Sequence, residues 1–420
     1  MRILFFSHYF PPESNAPAAR TYEHCTRWAA AGHDVTVVTC APNHPRGEVY
    51  PGYRNRLRQV EETKGVRVVR VCTYLAANKG LWRRTASWLS YLVSATLCGM
   101  LEHRPDIVLA TSPQPFCAWV GVLVSVWHRR PLLLEIRDLW PESVAAVGAL
   151  RSRLALELIA MMERGACGAA ARIVTVGEGY RRGLARRGVD PEEVDIVMNG
   201  VDRELFRPRV ADSAVASRFG VAGRFVVTYC GGVGPVHSLD VVVRAGAKLM
   251  DRGRRDIVFL IVGDGARLDA LRQAAAEAAL DNVVFTGRLE RSRIPAVLAC
   301  SDACLVHMRA SKTFASIMPS KIFEAAAMGL PIILGVRGFA KRFVEDARCG
   351  VCIAPEDADG LTAAVLRLAD EPALGRRLGR AGRSHVARFD RDRLAARYLD
   401  IITRTVCGER RRNVAWPSER

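Results

Sequence analysis

The stretch FASIMPSKIFEAAAMGLPIIL, Phe314–Leu334, reads as one helix-to-strand unit. Pro319 and Ser320 are helix starters, with Ser320 suited to the N-cap. An apolar helical run, KIFEAAAM, follows, and Pro331 then leads into a wholly apolar strand, PIIL. A strand with no polar alternation fits a sheet covered on both faces, which points to parallel α/β architecture.

Working outward, the same alternation fills the chain. RILFFS, DVTVVT, VRVVRV, DIVLAT, LLLEIR, RIVTV and DIVMN read as a first series of strands. Amphipathic helices fall between most of them, for example over Ala16–Ala31 and Arg151–Ala170. A second series runs RFVVTYCG, IVFLIVG, NVVFTG, ACLVHM, PIILGV and GVCIAP. The predicted fold is therefore α/β, with two facing Rossmann-like doubly wound domains and a cleft at the carboxyl ends of their strands. The expected division is residues 1–203, residues 204–385, a helix at 386–405 returning toward the first domain, and a mobile basic tail at 406–420. The polar, proline-containing stretch NGVDRELFRPRVADS lies at the boundary.

Lys321 and Glu324 stand out in the opening stretch. A lysine at a helix start opposes the helix dipole, and a bound anion would remove that conflict. Glu324 lies one turn on from Ser320, where a carboxylate can accept from two ribose hydroxyls. A plain Lys–Glu pair on a helix surface is the alternative. Hydride transfer is disfavoured because the first strand runs into SHYFPPESNAPAAR with no glycine, and CGGVGPVHS has a histidine where the last fingerprint glycine belongs.

Composition bounds the rest. Half of the 420 residues are apolar and 25% are charged, an ordinary globular balance. The net charge of +18 allows attraction to phosphates or an anionic membrane, but arginine far outnumbers lysine, as coding bias would also produce. No nucleic-acid-binding motif accompanies it, so no nucleic-acid partner is expected. The 12 cysteines are spread singly, as free thiols. Cys300/Cys304 and Cys349/Cys352 lack a ligand framework, so no metal and no cofactor is expected. EDADG reads as a helix cap near Gly360, and DRD at Asp390 and Asp392 as a charged helical face. No secretory signal opens the chain, and its apolar runs are shorter than the ~20 residues a spanning helix needs.

Three segments, SHYFPPES…APAARTYEHCTRWAAAGHDVTVVT, MNGVDRELFRP and PSKIFEAAAMGLPIIL, together resemble the GT-B glycosyltransferases of family 4, over roughly residues 1–405. HPRGEVYPGYRN, EIRDLWPES and PSKIFEAAAMG resemble, more narrowly, the bacterial transferases that add N-acetyl-L-fucosamine or a similar amino sugar in O-antigen and capsule assembly. The resemblance implies a retaining transferase that takes a UDP-sugar in its second domain and gives the sugar to a polyprenyl-diphosphate-linked glycan. It implies a peripheral place on the cytoplasmic face of the inner membrane. A UDP-sugar 2-epimerase and a catalytically inactive assembly partner share the architecture and stay open as alternatives.

In that family a Glu-x7-Glu motif contacts the donor. Glu324 matches its second acid, whereas the first position holds Ser316. Gly232 and His237 stand where many relatives carry an arginine and a lysine. Lys321 and Ser320, with Arg309 as a weaker candidate, are then the groups expected on the diphosphate. Gly263 and Gly265 are expected to let the backbone approach the nucleotide. For the chemistry the candidates are Glu135, Arg137 and Asp138 at the end of a buried strand, with Asp138 as base or orienting group, or else merely paired to Arg137. The loop from His8 to Arg20 is expected to close over the cleft, with Glu13 and Arg20 as its charged members. Trp82, Arg83, Arg84 and Trp88 form the interfacial end of a helix whose stripe of Leu89, Leu92, Val93, Leu97, Met100 and Leu101 fits a membrane surface or the sheet beneath it.

Overall fold

The computed structural model describes residues 1–408 apart from 14, 45, 77–80, 113, 141–151 and 312. The tail at 409–420, Pro45 of HPRGEVYPGYRN and the last three residues of EIRDLWPES thus lie outside the described residues. Two compact units are present: Met1–Met198 together with the chain from Leu394 onward, and Asn199–Arg393.

Eight strands described in the first unit are β1 Arg2–Phe6, β2 Asp34–Cys40, β3 Arg58–Thr63, β4 Val66–Val71, β5 Ile107–Thr111, β6 Leu132–Ile136, β7 Arg172–Thr175 and β8 Val194–Ile196. They lie in the order β3-β4-β2-β1-β5-β6-β7-β8, parallel except for β3. Successive side chains of β1 alternate between two cores. Leu4 and Phe6 pack under the helices Leu81–Leu101, Pro115–His128 and Arg153–Ala169. Ile3 and Phe5 face the helix Ala16–Ala30 and the last helix, Arg391–Val406.

β3 was not among the expected strands. RQVEET carries three charged residues and half-exposed alternation, so no apolar run marks it. Lys64 and Gly65, both at positive φ, form the two-residue hairpin turn that joins it to β4.

The second unit holds β9 Phe225–Cys230, β10 Ile257–Val262, β11 Val283–Gly287, β12 Ala303–His307, β13 Ile332–Gly335 and β14 Gly350–Cys352. Their order is β11-β10-β9-β12-β13-β14, all parallel, and the strand order reverses beside β9. Loops after β9, β10 and β12 leave the same carboxyl edge at this reversal, the usual ligand position in such sheets.

Two local expectations are corrected. The helix expected at 386–405 is interrupted at its start: one helix runs Pro372–Val386, a 3-10 turn covers Ala387–Phe389, and the last helix begins at Arg391. Asp390 is a cap rather than part of a helical face, its carboxylate accepting from the Asp392 N–H at 2.9 Å. The cap reading of EDADG holds: Asp357 caps the helix Ala358–Asp370 through the Gly360 N–H, while Asp359 pairs with Lys248 at 2.9 Å.

Candidate functional site

In the second unit the helix Lys321–Met328 starts at the sheet edge near β9. Ser320 occupies the N-cap position, but its φ/ψ of −60°/−28° is helical and its hydroxyl makes no cap bond. A tight bond from the Ile322 N–H to Pro319 O at 3.2 Å forms the entry instead. The expected hydroxyl cap is therefore absent.

Lys321 directs its ammonium over the Tyr229 ring, 3.8 Å from the centroid. It makes no ion pair among the described residues, and burial pushes its pKa down to about 8. A Cβ at Gly231 would fall 2.7 Å from that nitrogen, so glycine is what leaves room for it. Tyr229 is held in turn by its hydroxyl donating to Gly232 O at 2.8 Å. The Lys321–Glu324 surface pair does not form. Glu324 instead meets Arg291 at 3.4 Å, and Arg291 lies over the Phe206 ring. Sequence reading missed Arg291, and its only signal was a cluster of arginines in GRLERSR.

Gly263 and Gly265 make close backbone contacts within the protein. Cβ atoms there would lie 1.8 Å from Gly231 O and 2.4 Å from Val233 O. At φ +149° and +159° only glycine avoids strain, and the two glycines let the loops after β9 and β10 stack backbone on backbone.

His307, fully buried, is a second unforeseen residue. Its Nδ1–H donates to His237 O at 2.7 Å and its Nε2 accepts the Glu356 N–H at 2.8 Å, which requires the neutral ring. Glu356 accepts from the Ala310 N–H and the Ser238 hydroxyl, and these hold its carboxyl below the usual range. Arg309 is exposed and adds its charge to the same carboxylate. His237 is pushed down to about 3 by burial and by the charge of Lys321, so it stays neutral. Lys321 thus has neutral His237 and His307 rather than charged imidazoles for neighbours, and Ser316 sits half-buried in the short 3-10 turn Thr313–Ser316.

In the first unit, register places Phe6 beside Ala110 and Thr111 beside Glu135. His8, Asn43, Ser112 and Arg137 therefore follow four neighbouring parallel strands at one edge. Two expectations fail here. Arg20 lies in the helix Ala16–Ala30 rather than a loop, and Glu135 faces it at 2.9 Å with both side chains 1% exposed. Arg20 also donates to Val197 O and Met198 O, and the Thr111 hydroxyl donates to Glu135 at 2.6 Å. Burial opposes the Glu135 charge, yet Arg20, Arg137 and Thr111 more than offset it, so its pKa lies below the ordinary value. Every strong group of this pair is occupied, and Glu135 is a structural tie rather than a reactive acid.

Glu13 accepts from the Asn43 and His44 N–H groups at 3.0 and 2.9 Å, and Arg70 holds Pro11 O at 2.6 Å. The described part of the first loop is pinned to the neighbouring loop rather than free to close. Burial pushes Glu13 up to about 7 and His8 down to about 4.

Arg137 and Asp138 are less fully engaged than Glu135 among the described residues. The Arg137 N–H is held by the Ser112 hydroxyl at 2.7 Å, but its Nε and Nη1 are buried without a hydrogen-bond partner. Burial pushes the Asp138 carboxyl up to about 6 against the pull of Arg137. Such a carboxylate can accept a proton near neutrality, beside a guanidinium with two spare donors.

The three helices over the first core leave an apolar face outward. Leu89, Val93, Leu97 and Leu101, the last 84% exposed, form a stripe at every fourth residue, joined by Trp127 at 62% and Leu154 at 80%. Trp88, expected at the interface, is instead buried against Trp140. No helix among the described residues is long and apolar enough to cross a membrane. Nor is any group of three or more His, Cys, Asp or Glu among them placed to hold a metal ion.

Residues 15–200 match the glycosyl transferase 4-like domain and residues 224–371 the glycosyl transferases group 1 domain. WcaI of Escherichia coli K12, a glycosyl transferase described for colanic acid biosynthesis, is 24% identical over 377 residues, 87% of this chain and 91% of that protein. Sucrose-phosphate synthase from Thermosynechococcus elongatus superposes with a TM-score of 0.75 at 18% identity, over 97% of this chain and 99% of that one. HepE of Anabaena in complex with UDP and glucose superposes at 0.70 and 16%, over 96% and 99%.

Proposed function

Because the chain belongs to the GT-B glycosyltransferases, with a 4-like domain followed by a group 1 domain, we propose that it transfers an N-acetylated amino sugar from UDP to a polyprenyl-diphosphate-linked glycan. The reaction belongs to bacterial surface polysaccharide assembly, with N-acetyl-L-fucosamine as the leading donor sugar and retention as the expected outcome.

The observation that carries this reading is Lys321. A half-buried ammonium with no carboxylate partner among the described residues, cradled by Tyr229 and Gly231 at a helix start, is suited to meet an anion. Glu324 follows one turn on, in position for ribose hydroxyls, and Arg291 holds it until nucleotide arrives. Breaking the sugar–phosphate bond leaves negative charge on UDP, and a fixed cation there lowers the barrier. Asp138 accepts the proton of the acceptor hydroxyl, with Arg137 orienting the same oxygen. The exposed apolar face supports peripheral contact with the cytoplasmic side of the inner membrane, where a lipid-linked acceptor resides. WcaI's described role in colanic acid biosynthesis and the UDP in HepE favour the same donor and pathway class.

The test mixes the purified chain with UDP-amino sugars and a prenyl-diphosphate N-acetylglucosamine acceptor. Release of UDP that depends on acceptor is expected, and release indifferent to acceptor overturns the proposal for those substrates.

A further inference from the structure

We propose that His307 is a positioning residue for the donor: its ring ties the loop after β9 to the loop after β14 and so fixes where the Lys321 ammonium stands, a role that rests on Lys321 meeting the donor diphosphate as proposed above. His307 ends β12, is fully buried, and spends both ring nitrogens on the backbone of other loops. The Nδ1–H donates to His237 O at 2.7 Å, and Nε2 accepts from the Glu356 N–H at 2.8 Å. These peptide groups adjoin two residues in the left-handed region, Ser238 at φ 44° and Glu356 itself at φ 64°. Neither is glycine, so both conformations are strained and need support from outside the turn. The Ser238 hydroxyl closes the frame by donating to the Glu356 carboxylate at 3.0 Å. One ring thus braces two unfavourable backbone turns against each other.

From His237 the tie runs on to the lysine. His237 ends the 3-10 turn Pro235–His237, and its own Nδ1 accepts from the Gly234 N–H at 3.4 Å. Its ring stands edge-on to Tyr229 with 6.0 Å between centroids, and Tyr229 carries the Lys321 ammonium at 3.8 Å. The Arg309 N–H donates to Val236 O at 2.8 Å, so the loop after β12 is fastened to the same turn.

The ring has one seat and one protonation state. A Cβ at Gly335 of β13 would fall 2.3 Å from the His307 Cδ2, so glycine is what makes room for the imidazole. Burial, with the charges of Lys321 and Arg244, outweighs the pull of Glu356 and keeps the ring neutral. Nε2 therefore remains the acceptor that the Glu356 N–H requires.

UDP is titrated calorimetrically into the full chain and its variants. Asparagine places its amide where the histidine Nδ1 lies, and glutamine where Nε2 lies. His307→Asn can therefore still donate to His237 O, whereas His307→Gln keeps only an acceptor for the Glu356 N–H. His307→Gln should weaken UDP binding about tenfold, as loss of one buried hydrogen bond does, and His307→Asn should stay within about threefold of wild type. Equal losses in the two variants would mark a merely structural histidine and overturn the proposal. A double-mutant cycle with Lys321→Met gives a second reading. If His307 acts through the ammonium, His307→Gln weakens UDP binding little further in the Lys321→Met chain; losses that multiply to about a hundredfold overturn the tie. Should His307→Gln fail to fold, Gly335→Ala, which crowds the ring from β13, takes its place in the same cycle. A wild-type chain that binds no UDP defeats the donor reading itself. UDP binding that His307→Gln leaves unimpaired defeats only the role of His307.

Discussion

Replacing Glu135 by alanine separates a structural acid from a catalytic one. The pair with Arg20 is 2.9 Å long and 1% exposed on both sides. Two unit charges about 4 Å apart at an effective dielectric of about 20 attract by about 4 kcal/mol. Removing one member of such a buried pair costs about 3–5 kcal/mol, because the other is left charged in the interior. Arg20 would keep its bonds to Val197 O and Met198 O, which favours the lower half of that range. All six tryptophans in the described residues, from Trp28 to Trp140, belong to the first unit, so their fluorescence during urea unfolding reports on that unit. A lower urea midpoint worth about 3 kcal/mol is expected for Glu135→Ala. The sign of the pH dependence follows from the depressed Glu135 pKa. The pair's contribution is fully present above the unfolded value of 4.5 and is lost as pH falls through the lower folded value, so the two proteins should converge in acid. An unchanged midpoint together with collapsed turnover would refute the structural role and return Glu135 to the chemistry.

Other expectations are briefer. Lys321→Met should weaken UDP binding about tenfold or more, and wild-type affinity should itself decline as pH rises past the lysine's pKa of about 8; calorimetry across pH 6.5–9.5, roughly, checks both. Asp138→Asn should lower kcat by about 10²–10⁴-fold with an unchanged urea midpoint, and undiminished turnover would remove it from the reaction. Gly263→Ala sets a methyl 1.8 Å from Gly231 O, so UDP binding and the thermal stability of the second unit should fall together. A UDP-competent Gly263→Ala chain would show that the two loops can separate freely.

The strand series was legible because buried parallel strands are written as β-branched runs, and β9, β10 and β13 lie where FVVTYC, IVFLIV and IILG stand. β3 escaped because an edge strand needs no apolar run, only a turn and a partner. At the donor edge, Lys321 and Glu324 could be singled out as charges in an apolar context. What Lys321 rests on could not be seen, since Tyr229 lies 92 residues away in sequence. The glycines of IVGDGAR were recognisable as special, but a sequence does not say which backbone a glycine admits, and here it is the neighbouring loop. Glu135 was misread for the same reason: its partner, Arg20, is 115 residues distant and had been assigned to a loop.

The last helix carries a temporal consequence. Leu394, Ala395, Tyr398, Ile401 and Ile402 complete the core beneath β1 and β2, where the Trp28 indole donates to Ala395 O at 3.0 Å and packs edge-on against Tyr398. On the ribosome, residues 1–198 are made before the last helix, so their hydrophobic face waits while residues 199–393 are synthesised. During that interval Trp28, Phe5 and Val37 have no permanent cover, so the unit made first is the one finished last. A nonsense change before Leu394 would accordingly do its damage in residues 1–198, which translation had already delivered.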